Sequence, residues 1–196
     1  NFGSAAGGFR SNIVRLSSDG SLDADFNPGA NNQVRVLKQQ QDGRIVVGGT
    51  FSYFGGITVK NIARLNIDDS IDNDFKPNPN GAVYSVLERL DGTILIGGNF
   101  GAVSGTPFSR IAQLNLDGTV DRAFNPGTNG EVYAISLQAD GKALIGGAFT
   151  QIGGATQARL ARLNGDGSLD SNFNPVVNNQ VYAIAIQADD KILIAG

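Results

Sequence analysis

Asp19-Gly-Ser-Leu-Asp-Ala-Asp-Phe-Asn-Pro28 returns three more times along the chain. Its counterparts are Asp68-Asp-Ser-Ile-Asp-Asn-Asp-Phe-Lys-Pro77, Asp117-Gly-Thr-Val-Asp-Arg-Ala-Phe-Asn-Pro126 and Asp166-Gly-Ser-Leu-Asp-Ser-Asn-Phe-Asn-Pro175, each displaced by 49 residues from the one before. The 196 residues therefore hold four repeats with nothing left over. Working outward from the motif, the register never slips: Val34, Val83, Val132 and Val181 correspond, as do Gly49, Gly98, Gly147 and Gly196. One structural unit is stacked on copies of itself, and those copies must bury what one unit cannot.

Each unit reads as four strands with no helical period. In the third unit these are Val132 to Gln138, Lys142 to Gly147, Arg159 to Asn164 and Ser168 to Phe173. The second strand is apolar at consecutive positions, as in Ile94-Leu95-Ile96, which suits a strand covered on both faces. A three-residue loop ending in Asp-Gly, with glycine in the left-handed position, predicts the last hairpin's register. Leu16 then faces Leu22, Leu65 faces Ile71, Leu114 faces Val120 and Leu163 faces Leu169. The same register sets Arg15 against Asp23, Arg64 against Asp72, Arg162 against Asp170, and Gln113 against Asp121. On an exposed blade edge each such ion pair is expected to contribute about 0–1 kcal/mol.

Four-stranded units repeated at this period predict an all-β fold, a β-propeller of four blades. A β-solenoid has shorter rungs and usually lacks the Asp-Gly hairpins. Residues 31–77, 80–126 and 129–175 make three blades, and residues 1–28 with 178–196 make a composite fourth. Ile194-Ala195-Gly196 is expected to continue into Asn1-Phe2 as Ile96-Gly97-Gly98 continues into Asn99-Phe100. Lys191 to Gly196 would then pair antiparallel with Asn12 to Leu16. Closure within the chain gives a monomeric four-blade ring, and closure with a second copy gives a homodimeric eight-blade ring.

Composition removes several functions. A net charge of -3 gives no cationic surface for nucleic acid, and no apolar run is long enough for membrane insertion as a helix. Without Cys there are no disulfides or thiolate sites, and without His the commonest general base and metal ligand is missing. The chain has no Met, so it reads as a mature or excised piece of something longer.

The run Gly146-Gly147-Ala148-Phe149 followed by Ala161-Arg162-Leu163-Asn164-Gly165-Asp166-Gly167-Ser168-Leu169-Asp170 resembles the delta-60 repeat of bacterial surface and secreted proteins. The resemblance covers all four units, with departures at Asp68-Asp69, Lys76, Gln113 and Asp190. The paired glycines after the second strand are also kelch-like. The resemblance implies an extracellular or cell-surface interaction module, not an enzyme, and supplies no site residues or cofactor.

Asn164 to Asp170 has the oxygen-rich look of a calcium loop, but Leu163 stands where the first Asp belongs and no Glu closes it, so a hairpin turn is expected and no metal. Phe26, Phe75, Phe124 and Phe173, with Phe2, Phe51, Phe100 and Phe149, recur in every unit and are read as packing between blades. Asn31, Asn80, Asn129 and Asn178 precede the first strand and are read as positive-φ turn residues. Carboxylate-pair catalysis needs two acids facing one substrate. The position leading into the channel-lining strands is Gln33, Ala82, Glu131 and Gln180, which offers one.

Repeat arrays place specificity in variable loops. The connection from second to third strand varies most and shares a face with the Asn-rich connection. Candidate contacts are Tyr53, Phe54, Lys60, Phe108, Gln151 and Gln157, with Asn80 and Glu131. The expected function is non-catalytic adhesion or scaffolding toward a protein or glycan ligand. The alternatives are a carbohydrate-binding propeller, favoured by exposed aromatic and amide side chains around one pocket, and a glycoside hydrolase or lyase.

Overall fold

A computed structural model describes residues 2–5 and 7–196. All its regular structure is β. Three successive sheets are antiparallel and three-stranded: Val34–Gln39, Ile45–Gly49 and Ile62–Leu65; Ala82–Glu88, Ile94–Asn99 and Ile111–Leu114; Val132–Leu137, Ala143–Gly147 and Leu160–Leu163. A fourth begins with Ala183–Ile186 paired to Ile192–Ala195. In the complete sheets the second strand is central, which explains its unbroken apolar run. Leu95, Ile96, Leu144 and Ile145 are wholly buried.

The hairpin register follows the turn chemistry. Leu16 bridges Leu22, Leu65 bridges Ile71, Leu114 bridges Val120 and Leu163 bridges Leu169. The expected fourth strand, however, is a single bridge flanked by two backbone bonds, such as Asn66 N–H to Ser70 C=O at 2.8 Å and Asp72 N–H to Arg64 C=O at 2.9 Å. The Asp side chain is the reason: Asp72 Oδ1 accepts from the amides of Asp74 (3.1 Å) and Phe75 (3.3 Å) and turns the chain away from the sheet.

Neighbouring blades meet through the paired glycines. A Cβ on Gly48 would lie 2.8 Å from Val83 Cγ1, one on Gly97 2.7 Å from Val132 Cγ1, and one on Gly146 2.7 Å from Val181 Cγ1. The first glycine therefore admits the next blade's valine. The second glycine lies against its own first strand: a Cβ on Gly98 would sit 2.0 Å from the Ala82 carbonyl oxygen. Phe51, Phe75, Phe100, Phe124 and Phe149 are buried between blades as expected, as is Phe26. Phe2 is exposed and Phe173 half-buried, because each faces an end of the stack.

The ion pairs form at the predicted positions: Arg15–Asp23 (2.7 Å), Arg64–Asp72 (2.7 Å) and Arg162–Asp170 (2.9 Å). Arg15 and Asp23 are partly exposed, whereas the Arg64 and Asp72 side chains keep 3% and 13% of their surface. The expectation of an exposed edge fails there, because the next unit packs over Arg64, and in all three pairs the guanidinium lies over the recurring phenylalanine. Arg15 is 4.6 Å from the Phe26 ring centre, Arg64 4.2 Å from Phe75 and Arg162 4.6 Å from Phe173. Arg64 also donates to the Leu116 carbonyl of the next unit (2.7 Å). The third case carries Gln113 instead, and there Arg89 covers Phe124 at 5.5 Å. The cation has moved to the first strand's end, where the other units carry Gln40, Gln138 and Gln187.

The composite blade does not close within the chain. Ile192–Ala195 pairs only with Ala183–Ile186 among the described residues, and Leu193 and Ile194 remain 56% and 42% exposed. Blade rotation is set by the valine-over-glycine contacts, and three such steps do not bring Asn12 to Leu16 alongside Lys191 to Gly196. The expected continuation into Asn1 lies outside the described residues.

Candidate functional site

The first strands of successive blades lie side by side and form the inner surface. Each of the three complete sheets carries a bulge near the start of this strand, where pairing skips from Val34 to Val36, from Val83 to Ser85 and from Val132 to Ala134. The skipped residues are Arg35, Tyr84 and Tyr133, and Tyr182 is their counterpart in the fourth unit. A bulge re-aims its side chain, and here the four side chains line up across four blades.

The Arg35 guanidinium stands 5.4 Å from the Tyr84 ring centre. Tyr84 and Tyr133 are 5.7 Å apart with planes at 37°, and Tyr133 and Tyr182 are 5.0 Å apart at 29°. These residues and Glu131 line a cavity of about 320 Å³. A second row sits two residues earlier, at Gln33, Ala82, Glu131 and Gln180. The Tyr133 hydroxyl donates to Glu131 Oε2 and the Tyr182 hydroxyl to Gln180 Oε1, both at 2.6 Å. Tyr84 stands beside Ala82 and has no such neighbour. Burial and then the bond to Glu131 push the Tyr133 phenol above its ordinary pKa, so it stays protonated and donating. The site offers aromatic edges, hydroxyls, a guanidinium with no carboxylate partner among the described residues, and a carboxylate with one oxygen unused by Tyr133.

The loop candidates are divided by the fold. The second-to-third-strand connections are two-stranded hairpins, Tyr53–Phe54 with Ile57–Thr58, Ala102–Val103 with Thr106–Pro107, and Gln151–Ile152 with Ala155–Thr156. Two consecutive positive-φ residues make each tight turn, Gly55-Gly56, Ser104-Gly105 and Gly153-Gly154. One side of each hairpin then faces the core. Phe54 and Phe108 are wholly buried, which removes them as contact residues. Gln157 is buried as well and donates to the Leu160 carbonyl (2.8 Å). Tyr53, Lys60, Asn80 and Gln151 are exposed, and Glu131 alone of the candidates lines the tyrosine cavity.

Asn31, Asn80 and Asn129 do not take positive φ. Each instead caps its hairpin: Asn80 Oδ1 accepts from the amides of Gly101 (2.8 Å) and Ala102 (3.0 Å), and Asn31 and Asn129 repeat the arrangement. The left-handed backbone falls at the start of the third strand, at Asn12, Asn61, Arg110 and Arg159. Through these caps Asn31, Asn80 and Asn129 tie the second-to-third-strand connections to the connections that lead into the first strands. The turn aspartates are held by local bonds, with Asp166 Oδ1 accepting from the Ser168 amide (2.9 Å) and hydroxyl (2.7 Å).

The stripe was missed from sequence although its signal was present, since three of the chain's four tyrosines recur at one position of the 49-residue period. What the period did not disclose is that this position faces outward from a bulge.

No curated protein matches the chain in sequence. Among solved structures the fold resembles the WD40 β-propeller domain of Doa1, with a TM-score of 0.64 and 17% identity, covering 90% of this chain and 51% of that one. It also resembles the extracellular domain of the putative hybrid two-component system BT3049 from B. thetaiotaomicron, with a TM-score of 0.56 and 15% identity, covering 95% of this chain and 23% of that one. The chain thus spans about half the length of the first protein and about a quarter of the second. The repeated β-sheet blades agree with the family model that matches residues 1–26, 40–75, 90–124 and 138–173, more than half of the sequence, and the chain belongs to that family, described as a β-propeller domain of unknown function (DUF5122).

Proposed function

We propose that this propeller is a non-catalytic interaction module that captures its ligand on the inner tyrosine stripe. The observation that carries this reading is the alignment of Arg35, Tyr84 and Tyr133, each on a bulge, with their counterpart Tyr182 along one cavity. Aromatic side chains supply contact area at low conformational cost, and Tyr and Arg dominate binding hot spots. Among the described residues Glu131 is the one carboxylate lining that cavity, where paired-acid hydrolysis needs two. The resemblance to delta-60 and kelch-like repeats supports placement on a secreted or cell-surface bacterial protein, with an adhesive role.

The second reading, a carbohydrate-binding propeller, is favoured by the same cavity, where aromatic rings stand beside the amide of Gln180 and the carboxylate of Glu131. Glycan and peptide arrays probed with the wild type and with a Tyr84→Ala/Tyr133→Ala variant test both. Loss of the captured ligand in the variant is expected. A ligand held equally well by the variant overturns the assignment of binding to the stripe.

A further inference from the structure

We infer that the tyrosine stripe binds a neutral, linear oligosaccharide lying across the blades; this rests on the reading of the stripe as the ligand site. The first argument is electrostatic. Arg35 stands at one end of the cavity with no carboxylate partner among the described residues, and Glu131 lines the same cavity. An acidic ligand gains at Arg35 and is repelled at Glu131, while a basic one suffers the reverse. A sugar hydroxyl both donates and accepts, so a neutral polyhydroxylated chain satisfies the guanidinium and the carboxylate together.

The second argument is the rings' arrangement. At 5.0 and 5.7 Å, and tilted by 29° and 37°, the tyrosines cover much of each other's faces and present edges and hydroxyls. Aromatic edges carry the positive part of the ring quadrupole and attract oxygen. The spacing of the ring centres, 5.0 to 5.7 Å, is close to the length of one pyranose unit, so successive sugars meet successive tyrosines. The third argument is the gap at Ala82, which leaves Tyr84 without the acceptor that Glu131 and Gln180 give their neighbours. A ligand hydroxyl at that gap completes the row.

The test uses the whole chain, with cellohexaose and mannohexaose as neutral probes, hexagalacturonate as the acidic probe, chitosan hexaose as the basic probe, and a peptide array. The chain has no Trp, so tyrosine emission reports chiefly on the stripe, and calorimetry gives the affinities. A neutral hexasaccharide should bind best, and Arg35→Ala or Glu131→Ala should weaken it at least tenfold. Ala82→Gln, which refills the gap in the manner of Gln180, should weaken it comparably, while circular dichroism shows each variant folded. Glu131→Gln should raise the affinity for hexagalacturonate severalfold. Tighter binding by the wild type of the charged sugars, or stripe-dependent binding of peptides alone, overturns the neutral-glycan assignment and leaves the interaction module standing. Absence of stripe-dependent binding to every probe overturns both.

Discussion

Two adjacent glycines, Gly97 and Gly98, face different obstacles, so the same substitution should give different losses. A Cβ on Gly97 would lie 2.7 Å from Val132 Cγ1 and 3.0 Å from Ile135 Cδ1, both on the next blade. Valine has little rotamer freedom to swing aside, so the two blades must separate slightly, and Gly97→Ala should cost about 1–3 kcal/mol. A Cβ on Gly98 would lie 2.0 Å from the Ala82 carbonyl oxygen and 3.1 Å from Val83 Cα. No side-chain movement relieves a backbone overlap, so Gly98→Ala must break pairing beside the bulge and should cost more than about 3 kcal/mol. Gly165, with no atom within 4 Å and no positive φ, is the control: its alanine variant should be neutral or more stable by about 0.4–1 kcal/mol. Val132→Ala alone should cost about 2 kcal/mol through lost burial and a cavity. In Gly97→Ala/Val132→Ala the new methyl occupies the vacated space, and the loss should fall short of the sum by about 0.5–3 kcal/mol. Urea titration of the five variants beside the wild type measures all of these. A Gly98→Ala loss no larger than that of Gly97→Ala, or strictly additive losses in the double variant, would refute the valine-over-glycine account of blade packing.

Lys142 above all, with the Asn172 amide and Arg162, holds the Asp170 carboxyl down to about 2, below its unfolded value of about 3.9. Its stabilisation is therefore present above about pH 4 and lost as the pH falls toward 2, and melting curves of Asp170→Asn should be flatter than the wild type's across that window. Asp190 has φ 62° where Gly43, Gly92 and Gly141 stand in the other units; Asp190→Gly should add about 0.5–1 kcal/mol and raise Tm by roughly 1–4 °C, and an unchanged or lower Tm contradicts it. Moving the cation back, with Gln113→Arg and Arg89→Gln together, should restore stability to within about 0.5 kcal/mol of the wild type, while Gln113→Arg alone crowds two guanidiniums at Phe124; additive losses by denaturation count against the swap. Extending the internal register across copies sets Ile192 opposite Leu16 and Leu193 opposite Arg15, the positions of Ile45 with Leu65 and Val46 with Arg64. Light scattering should then find the 20.4 kDa chain self-associated and Ile194→Lys monomeric; a wild-type monomer removes this assembly.

What the sequence determined by itself was local and periodic. The 49-residue repeat identifies the blade, and the Asp-Gly turns, with Asp68-Asp69 in one unit, set each hairpin's register because a three-residue loop with its last residue in the left-handed position permits one pairing. That register carries the Arg64–Asp72 and Arg162–Asp170 pairs with it. Tertiary structure decided which side of each element is covered. Phe54, Phe108 and Gln157 looked like loop contacts, and they are buried because tight turns fold those connections into hairpins that turn one side to the core. Tyr84, Tyr133 and Tyr182 looked like strand residues, and they form the candidate site because a bulge lifts Tyr84 and Tyr133 out of the pairing pattern and the packing of successive blades sets the three rings 5.0 to 5.7 Å apart. Closure within one chain was out of reach for the same kind of reason. Strand pairing is legible in a pattern of residues, but the angle between blades is summed from contacts such as Val83 over Gly48 and Val132 over Gly97, and only the packed structure sums them.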